Sequence, residues 1–384
     1  MRAVNVVPGT LRSTLTQVPT PSIREPSQAL VQVLRVGICG TDRAIFQGKE
    51  GRPVPGQTRL IPGHEMVGRV VQVGPEVRSA RPGDLVTATV RRSCGICISC
   101  ARDEPDMCYT GLFTERGIKE ADGFMTEFIV EEERHLVPVP PDLADLAVLV
   151  QPLSAVIKAI EQARRLQYRA LPWCGHSDHA WDQPGWGFDK RALVAGPGVL
   201  GILGALLLLS CGARVTLLGR RPLTEAQARV LAEKPIEYIN LQDVSMEDLP
   251  NWVGKVDLVL DCTGSPSLPL DLTRTMAPNG VLLVLGIPTG RQDVTFDGAL
   301  IFRERVLNNH LVLASVGSNR SHYEQALGVL RRLNTLFPGA PAGLFTHSLP
   351  LEEYKTALQE SARDGLKVVL TLDTSATASP ARQA

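Results

Sequence analysis

Arg191-Ala-Leu-Val-Ala-Gly-Pro-Gly-Val-Leu-Gly201 reads as a short apolar strand that runs into a glycine turn and then into a helix. Gly196, Gly198 and Gly201 give the spacing G-x-G-x-x-G, which becomes informative in this strand-to-helix setting. The first glycine permits the tight turn, the second lets a pyrophosphate approach the backbone, and the third lets helix and strand pack closely. The helix N-terminus then offers unpaired N–H groups and partial positive charge to phosphate. Gly196, Pro197, Gly198, Val199, Leu200 and Gly201 are therefore candidate dinucleotide contacts. Ala192 to Ala213 carries no charge and is long enough to suggest a membrane span. Gly204 and Gly212 join the other glycines and Pro197 within it, and a strand, a turn and a buried helix account for it better.

Outward from this stretch, strand and helix alternate. Ala213–Leu218 reads as a strand, Leu223–Glu233 as a helix, and Val256–Asp261 and Gly280–Leu285 as buried strands, which predicts a parallel α/β sheet over 189–310. The end of the second strand usually carries Asp or Glu in an NAD site, to accept from the ribose 2′-hydroxyl. Here it reads Gly219-Arg-Arg-Pro222. The glycine removes a carboxylate that would repel a 2′-phosphate, and Arg220 and Arg221 can pair with it, so NADP is favoured and NAD is the alternative. Ordinary surface charge is the competing reading of the two arginines. Asp261-Cys-Thr-Gly264 and Leu285-Gly-Ile-Pro288 fall at later strand ends. Cys262, Thr263, Gly264, Leu285 and Gly286 either line the cofactor path or form tight turns needed only for folding.

The rest of the chain has a different pattern. Over 1–188, short apolar runs such as Ala29–Val36, Val67–Val73, Leu85–Val90 and Phe124–Val130 are broken by Pro and Gly, as in a compact β-rich domain. Beyond 310, Ser321–Leu333 reads as a helix and Gly365–Leu372 as a strand that rejoins the first domain. The small, polar tail from Thr374 to Ala384 is expected to be disordered. Gln167–Asp189 holds Trp173, Cys174, His176, His179, Trp181 and Trp186. A linker lobe over the cleft or a subunit contact is favoured there over a further metal site. The chain's 384 residues, 44% hydrophobic, are enough for two cores, and 40 basic residues balance 40 acidic ones. That balance argues against capture of nucleic acid or of an anionic membrane, and leaves a small molecule as the ligand. The start lacks an apolar run and a cleavage site for secretion, so a cytoplasmic address is expected.

Cys94, Cys97, Cys100 and Cys108 are spaced C-x2-C-x2-C-x7-C. Four thiolates this close can surround one tetrahedral metal and leave no position for substrate or water, which predicts a structural zinc lobe over 94–108. An iron–sulfur cluster uses similar ligands, but the remaining motifs point elsewhere. Free thiols or disulfides fit less well in a long chain without a secretory segment.

Cys39 sits in Val36-Gly-Ile-Cys-Gly-Thr-Asp42 and His64 in Gly63-His-Glu-Met-Val-Gly68. With the cysteine lobe and the dinucleotide motif, these residues resemble the zinc-dependent medium-chain alcohol dehydrogenases over nearly the whole chain. The resemblance implies a GroES-like β-rich catalytic domain at 1–188, a Rossmann doubly wound domain at 189–310, and a return segment at 311–384 that completes the first. It implies two zinc ions per chain, the catalytic one bound by Cys39 and His64. Such a zinc keeps a position open for substrate and lowers the pKa of a bound alcohol. Thr41 is then the proton relay and Asp42 the carboxylate that orients His64. Glu65 and Gln151 compete for the remaining position. Glutamine is the weaker ligand, so Glu65 binds the metal and Gln151 a water on it, or the two exchange roles. A buried thiol and a core histidine are the structural alternative for Cys39 and His64.

Cys39-Gly-Thr-Asp-Arg-Ala-Ile-Phe46, Val90-Arg-Arg92, Cys108-Tyr-Thr-Gly111, Glu115-Arg-Gly-Ile118, Asp122-Gly-Phe-Met125 and Gln151-Pro-Leu153 narrow the resemblance to the glucose dehydrogenase branch known from archaea and some bacteria. That branch implies Glu115 as the sugar-binding carboxylate, able to accept from vicinal hydroxyls. The alternative for Glu115 is a surface salt bridge to Arg116 or a neighbour. The branch also places asparagines where this chain has Val90 and the segment Val316-Gly317-Ser318-Asn319. Asn319 and His322 are candidate replacements, and loss of amide partners alters discrimination between hydroxyl-bearing substrates. The reading is an NADP-preferring zinc dehydrogenase for a sugar or polyol. A reductase of a less polar or larger ketone or aldehyde, and a non-catalytic nicotinamide-binding structural or sensor protein, are the alternatives. A homodimer or homotetramer follows by analogy.

Overall fold

The computed structural model describes residues 1–167, 190–289, 292–363 and 365–372. The Trp/His-rich segment beyond Gln167 and the tail from Thr374 lie outside the described residues. The chain divides into two compact units, Met1–Leu149 with the part from Phe345 onward, and Val150–Leu344. These divisions fall outside the pattern changes near 189 and 311. The reason is that the Val150–Gln167 and Arg320–Leu336 helices pack on each other and on the Val199–Ser210 helix.

The Val150–Leu344 unit is built on a six-stranded parallel sheet in the order Ile236–Asn240, Arg214–Gly219, Arg191–Ala195, Val256–Asp261, Met276–Val284, Leu311–Ala314. Numbered along the chain, this is 3-2-1-4-5-6, the doubly wound order. Its direction reverses between Arg191–Ala195 and Val256–Asp261, so the carboxyl ends of these strands mark the ligand crevice. Ala192 to Ala195 are buried on both faces, which explains an unbroken apolar run rather than an alternating one. The Val199–Ser210 helix is apolar nearly all round because the sheet and two helices enclose it. Among the described residues no helix is long and apolar enough to cross a membrane.

The other unit is dominated by antiparallel strands. Gln28–Ile38 is central in its seven-stranded sheet, pairing with Glu65–Val73 and Phe128–Glu132 and, through Ile38–Arg35, with the returning strand Lys367–Thr371. Val31, Val33 and Val36, with Met66, Val70 and Leu370, form its buried core. The strand expected over 124–130 begins only at Phe128. Phe124 and Met125 are fully buried in the preceding loop, whose carbonyl at Met125 accepts from Val4 N–H. Burial, not strand geometry, explains their apolar character. The Arg91–Arg92, Thr114–Arg116 and Glu120–Ala121 strands form a small separate sheet beside the cysteine lobe.

Candidate active site

Cys39 ends the long Gln28–Ile38 strand and caps the Gly40–Phe46 helix. Its sulfur accepts from Thr41 N–H at 3.3 Å, and its own N–H donates to Asp42 Oδ2 at 2.9 Å. This reciprocal cap fixes the sulfur and the carboxylate together. His64 lies just before the neighbouring Glu65–Val73 strand and brings Nε2 to 3.1 Å from Cys39 Sγ. Its Nδ1 faces Asp42 Oδ1 at 3.4 Å, an ion-pair distance without hydrogen-bond geometry. Asp42 is fully buried and His64 nearly so. Burial works against the charge on both, yet Asp42 is held below and His64 well above its ordinary pKa, because Cys39 and Asp42 favour the imidazolium and His64 favours the Asp42 carboxylate. Positive charge is thus favoured on His64, and a metal bound at Nε2 would take the place of that proton.

Glu65 completes the cluster. The ligand atoms of Cys39, His64 and Glu65 all lie within 4.8 Å of one another. Gly37 is paired with Glu65 across the strands, and a Cβ at Gly37 would overlap the Glu65 carboxylate and come within 2.6 Å of Val148. Glu65 is also held by Lys367, which sequence reasoning missed. Lys367 Nζ is 2.5 Å from Glu65 Oε2, and both side chains are almost fully buried. The signal lay in the return strand expected over Gly365–Leu372, which contains this lysine and in the structure begins with it. A thiol, an imidazole oriented by a carboxylate, and a carboxylate fit a zinc ion with an open position. Gln151 is the second residue of the Val150–Gln167 helix and belongs to the other unit, where its carbonyl accepts from Ser154.

Glu115 is paired with Arg91 across the small sheet, and its Oε1 accepts from Arg91 Nη2 at 2.8 Å and Nε at 3.0 Å. Its salt bridge is therefore to Arg91 and not to Arg116. Arg91 also stacks over Phe113 at 3.7 Å. Arg116 joins Arg92 on buried Glu131, a cluster the sequence did not reveal. Burial raises the pKa of Glu131, but Arg116 and Arg92 outweigh it and lower it to about 2. Burial, and then Arg92, lower His135 to about 3.

In the cysteine lobe the four sulfurs lie within 4.8 Å of one another. Cys97 Sγ and Cys108 Sγ are 3.9 Å apart, close to the roughly 3.8 Å that tetrahedral zinc with 2.3 Å bonds requires. Backbone N–H groups of Cys94 and Cys100 donate to the sulfurs of Cys100 and Cys97. The lobe fits a closed metal site.

In the second unit, Gly196 has φ +100° and Gly201 presses on its carbonyl so closely that a Cβ has no room. Gly198 caps the helix without a side-chain bond, and the space a Cβ would take there is open, as a phosphate cradle needs. Cys262 and Thr263 pack against Gly196, while Thr263 donates twice to Asp261 Oδ1. Gly264 and Gly286 touch backbone to backbone, and Leu285 and Gly286 donate to the Asp261 carbonyl, which explains both glycines by close approach. Arg220 and Arg221 are exposed beyond Gly219, without an ionic partner among the described residues. Asn319 belongs to this unit too. Its side chain accepts from His322 N–H to cap the Arg320–Leu336 helix, so one of its polar groups is already committed.

Comparison with known proteins agrees with this geometry. A family profile described as glucose dehydrogenase C-terminus matches residues 144–372, and the alcohol dehydrogenase GroES-like domain profile matches 25–141. The glucose 1-dehydrogenase of Thermoproteus tenax is 36% identical over 377 residues, covering 97% of this chain and 100% of that one. That of Methanocella arvoryzae is 34% identical over 97% of this chain and 99% of its own. The Haloferax mediterranei glucose dehydrogenase, solved in complex with NADP, Zn and gluconolactone, superposes with a TM-score of 0.84 at 32% identity, covering 97% of this chain and 100% of that one.

Proposed function

The chain belongs to the glucose dehydrogenase branch of the zinc-dependent medium-chain dehydrogenases, and from that premise we propose that it oxidises a hydroxyl of a sugar or polyol with NADP. One observation carries the reading: Cys39, His64 and Glu65 converge within 4.8 Å, beside Asp42 and Thr41. Zinc held there supplies Lewis acidity toward the substrate oxygen, and the nicotinamide supplies the hydride acceptor. The Asp42 carboxylate, 3.4 Å from Nδ1, favours a proton on that nitrogen and so leaves Nε2 to face the site. Lys367 neutralises Glu65 from behind, so that the carboxylate can remain in a buried place. Thr41, whose N–H is tied to Cys39 Sγ, is the residue that takes the hydroxyl proton outward. Glu115, oriented by Arg91, accepts from hydroxyls distant from the reacting carbon. For an aldose the product is a lactone.

Two further assignments support the same activity. Gly219, Arg220 and Arg221 give NADP its preference over NAD. The edge strand Leu311–Ala314, with its exposed Val312, and the preceding Gly298–Leu307 helix, with its exposed Phe302, Val306 and Leu307, supply the surface across which two copies pair, and a single-chain mass in light scattering would exclude this.

The test is the initial rate of NADPH formation with NADP and D-glucose, run beside other aldoses, polyols, simple alcohols and NAD. Turnover of a sugar with NADP supports the assignment. Activity confined to apolar alcohols or carbonyls moves the protein to the reductase alternative, with Val90 and Gly317 as the residues that shape it. A strong NAD preference sinks the cofactor assignment.

A further inference from the structure

The turn that carries Arg220 and Arg221 is anchored at both ends by side chains that the dinucleotide motif does not include. Tyr238, on the edge strand Ile236–Asn240, donates its hydroxyl to the Arg221 carbonyl. Gln227, in the first turn of the Glu225–Leu231 helix, takes part in a capping box with Thr224 and donates Nε2 to the Pro197 carbonyl at 2.8 Å. The segment from Gly219 to Thr224 is thereby fixed at Arg221 and at Thr224, and the second anchor ties it to the glycine turn itself. Gly219 has a reason beyond the absent carboxylate. A Cβ there would overlap the Tyr238 hydroxyl and lie 3.0 Å from its Cζ and 3.1 Å from Pro197 Cγ. The Tyr238 ring thus occupies the place that a larger residue at 219 would fill. Both arginines stay exposed, with no carboxylate to hold them among the described residues. Long cationic side chains on a free loop lose more conformational freedom on binding a phosphate than the same chains on a fixed one.

We propose that Tyr238 is a positioning residue for cofactor choice. Its hydrogen bond to the Arg221 carbonyl holds the Gly219–Pro222 turn in the form in which Arg220 and Arg221 meet a 2′-phosphate. It acts through the turn and touches no reacting atom. The proposal rests on the NADP reading, and it predicts a selective effect. NADP affinity depends on Tyr238, whereas NAD, which carries no 2′-phosphate, gains nothing from the arrangement.

The experiment is calorimetric titration of the full chain with NADP, NAD and 2′,5′-ADP, for the wild type, Tyr238→Phe, Gly219→Ala and the double variant. Tyr238→Phe keeps the ring and removes one hydrogen bond, so a weakening of NADP and 2′,5′-ADP by about three- to tenfold is expected, with NAD unchanged. Gly219→Ala breaks the same bond from the opposite side, and adding Tyr238→Phe to it should weaken NADP no further. Equal weakening of NADP and NAD, or full additivity in the double variant, overturns the proposal, because either result assigns Tyr238 a general structural role. A wild-type NADP preference that survives unchanged in Tyr238→Phe overturns this proposal alone. A wild type that does not favour NADP overturns the cofactor reading and the proposal with it.

Discussion

Lys367 supports the candidate metal cluster through Glu65, and the motifs of that cluster do not mention it. It faces Glu65 with both side chains 2% exposed or less, so removing the ammonium leaves a buried carboxylate without a counter-charge. Breaking a buried pair in this way costs about 3–5 kcal/mol. A metal beside Glu65 supplies part of the missing positive charge. Lys367→Met is therefore expected to lose that much stability in zinc-stripped protein and clearly less in zinc-loaded protein, as read by denaturant unfolding of both forms. An equal loss in both would mean that Glu65 turns away from the metal. Cys39, Asp42, His64 and Glu65 were readable from local motifs because each contact spans few residues or joins paired strands. Lys367 was not, since its partner lies 302 residues away and only the sheet register brings the two together.

At the scale of elements, the strand Phe128–Glu132 and the small sheet beside it share a buried ionic cluster. Glu131 holds Arg92 and Arg116, and His135 follows in the next turn, its Nδ1 3.3 Å from Thr89 Oγ1. The Val90-Arg-Arg92 run carried part of the branch resemblance, and its two charges are paired within the fold, Arg91 with Glu115 and Arg92 with Glu131. Apolar runs broken by Pro and Gly marked the longer strands but neither the short Arg91–Arg92 and Thr114–Arg116 strands nor which arginine meets which carboxylate, because side-chain reach across a sheet is invisible in spacing. The glycine turn and its helix matched residue for residue, since glycine geometry there is a purely local constraint. The cluster sets a pH dependence. Glu131 has a folded pKa of about 2 against an ordinary 4.5, so between these values the unfolded chain binds the extra proton and stability falls as pH falls. The interval is worth on the order of 3 kcal/mol. His135, lowered to about 3, works in the same direction from about pH 6.5 downward, since the unfolded chain protonates first. Glu131→Gln is expected to be less stable than wild type at pH 7 and to lose the steep portion below about pH 4.5. Unfolding free energies at pH 7, 5, 4 and 3 test this. Parallel curves for the two proteins would assign acid sensitivity to other groups.

For the whole molecule, the candidate metal clusters and the candidate cofactor turn fall in different units, and removing metal therefore tests an enzyme against a protein that only binds nicotinamide. Both candidate metal clusters, Cys39–His64–Glu65 and the four cysteines, belong to the Met1–Leu149 unit, while the glycine turn and Arg220–Arg221 belong to Val150–Leu344. Two zinc ions per chain are expected by elemental analysis, and a count near one would show that one cluster is not a zinc site. The four-sulfur site is closed and has only soft ligands, whereas the other has a carboxylate and a position for substrate, so a mild chelator should remove the second metal first. Activity should then disappear with little change in melting temperature, and harsher chelation should lower the melting temperature as the lobe loses its cross-link. NADP should still bind the stripped protein, because none of its candidate contacts lies in the metal-bearing unit. Turnover that persists after the first zinc is gone would remove Cys39 and His64 from the chemistry. Loss of cofactor affinity in step with the metal would mean that the two units do not act separately.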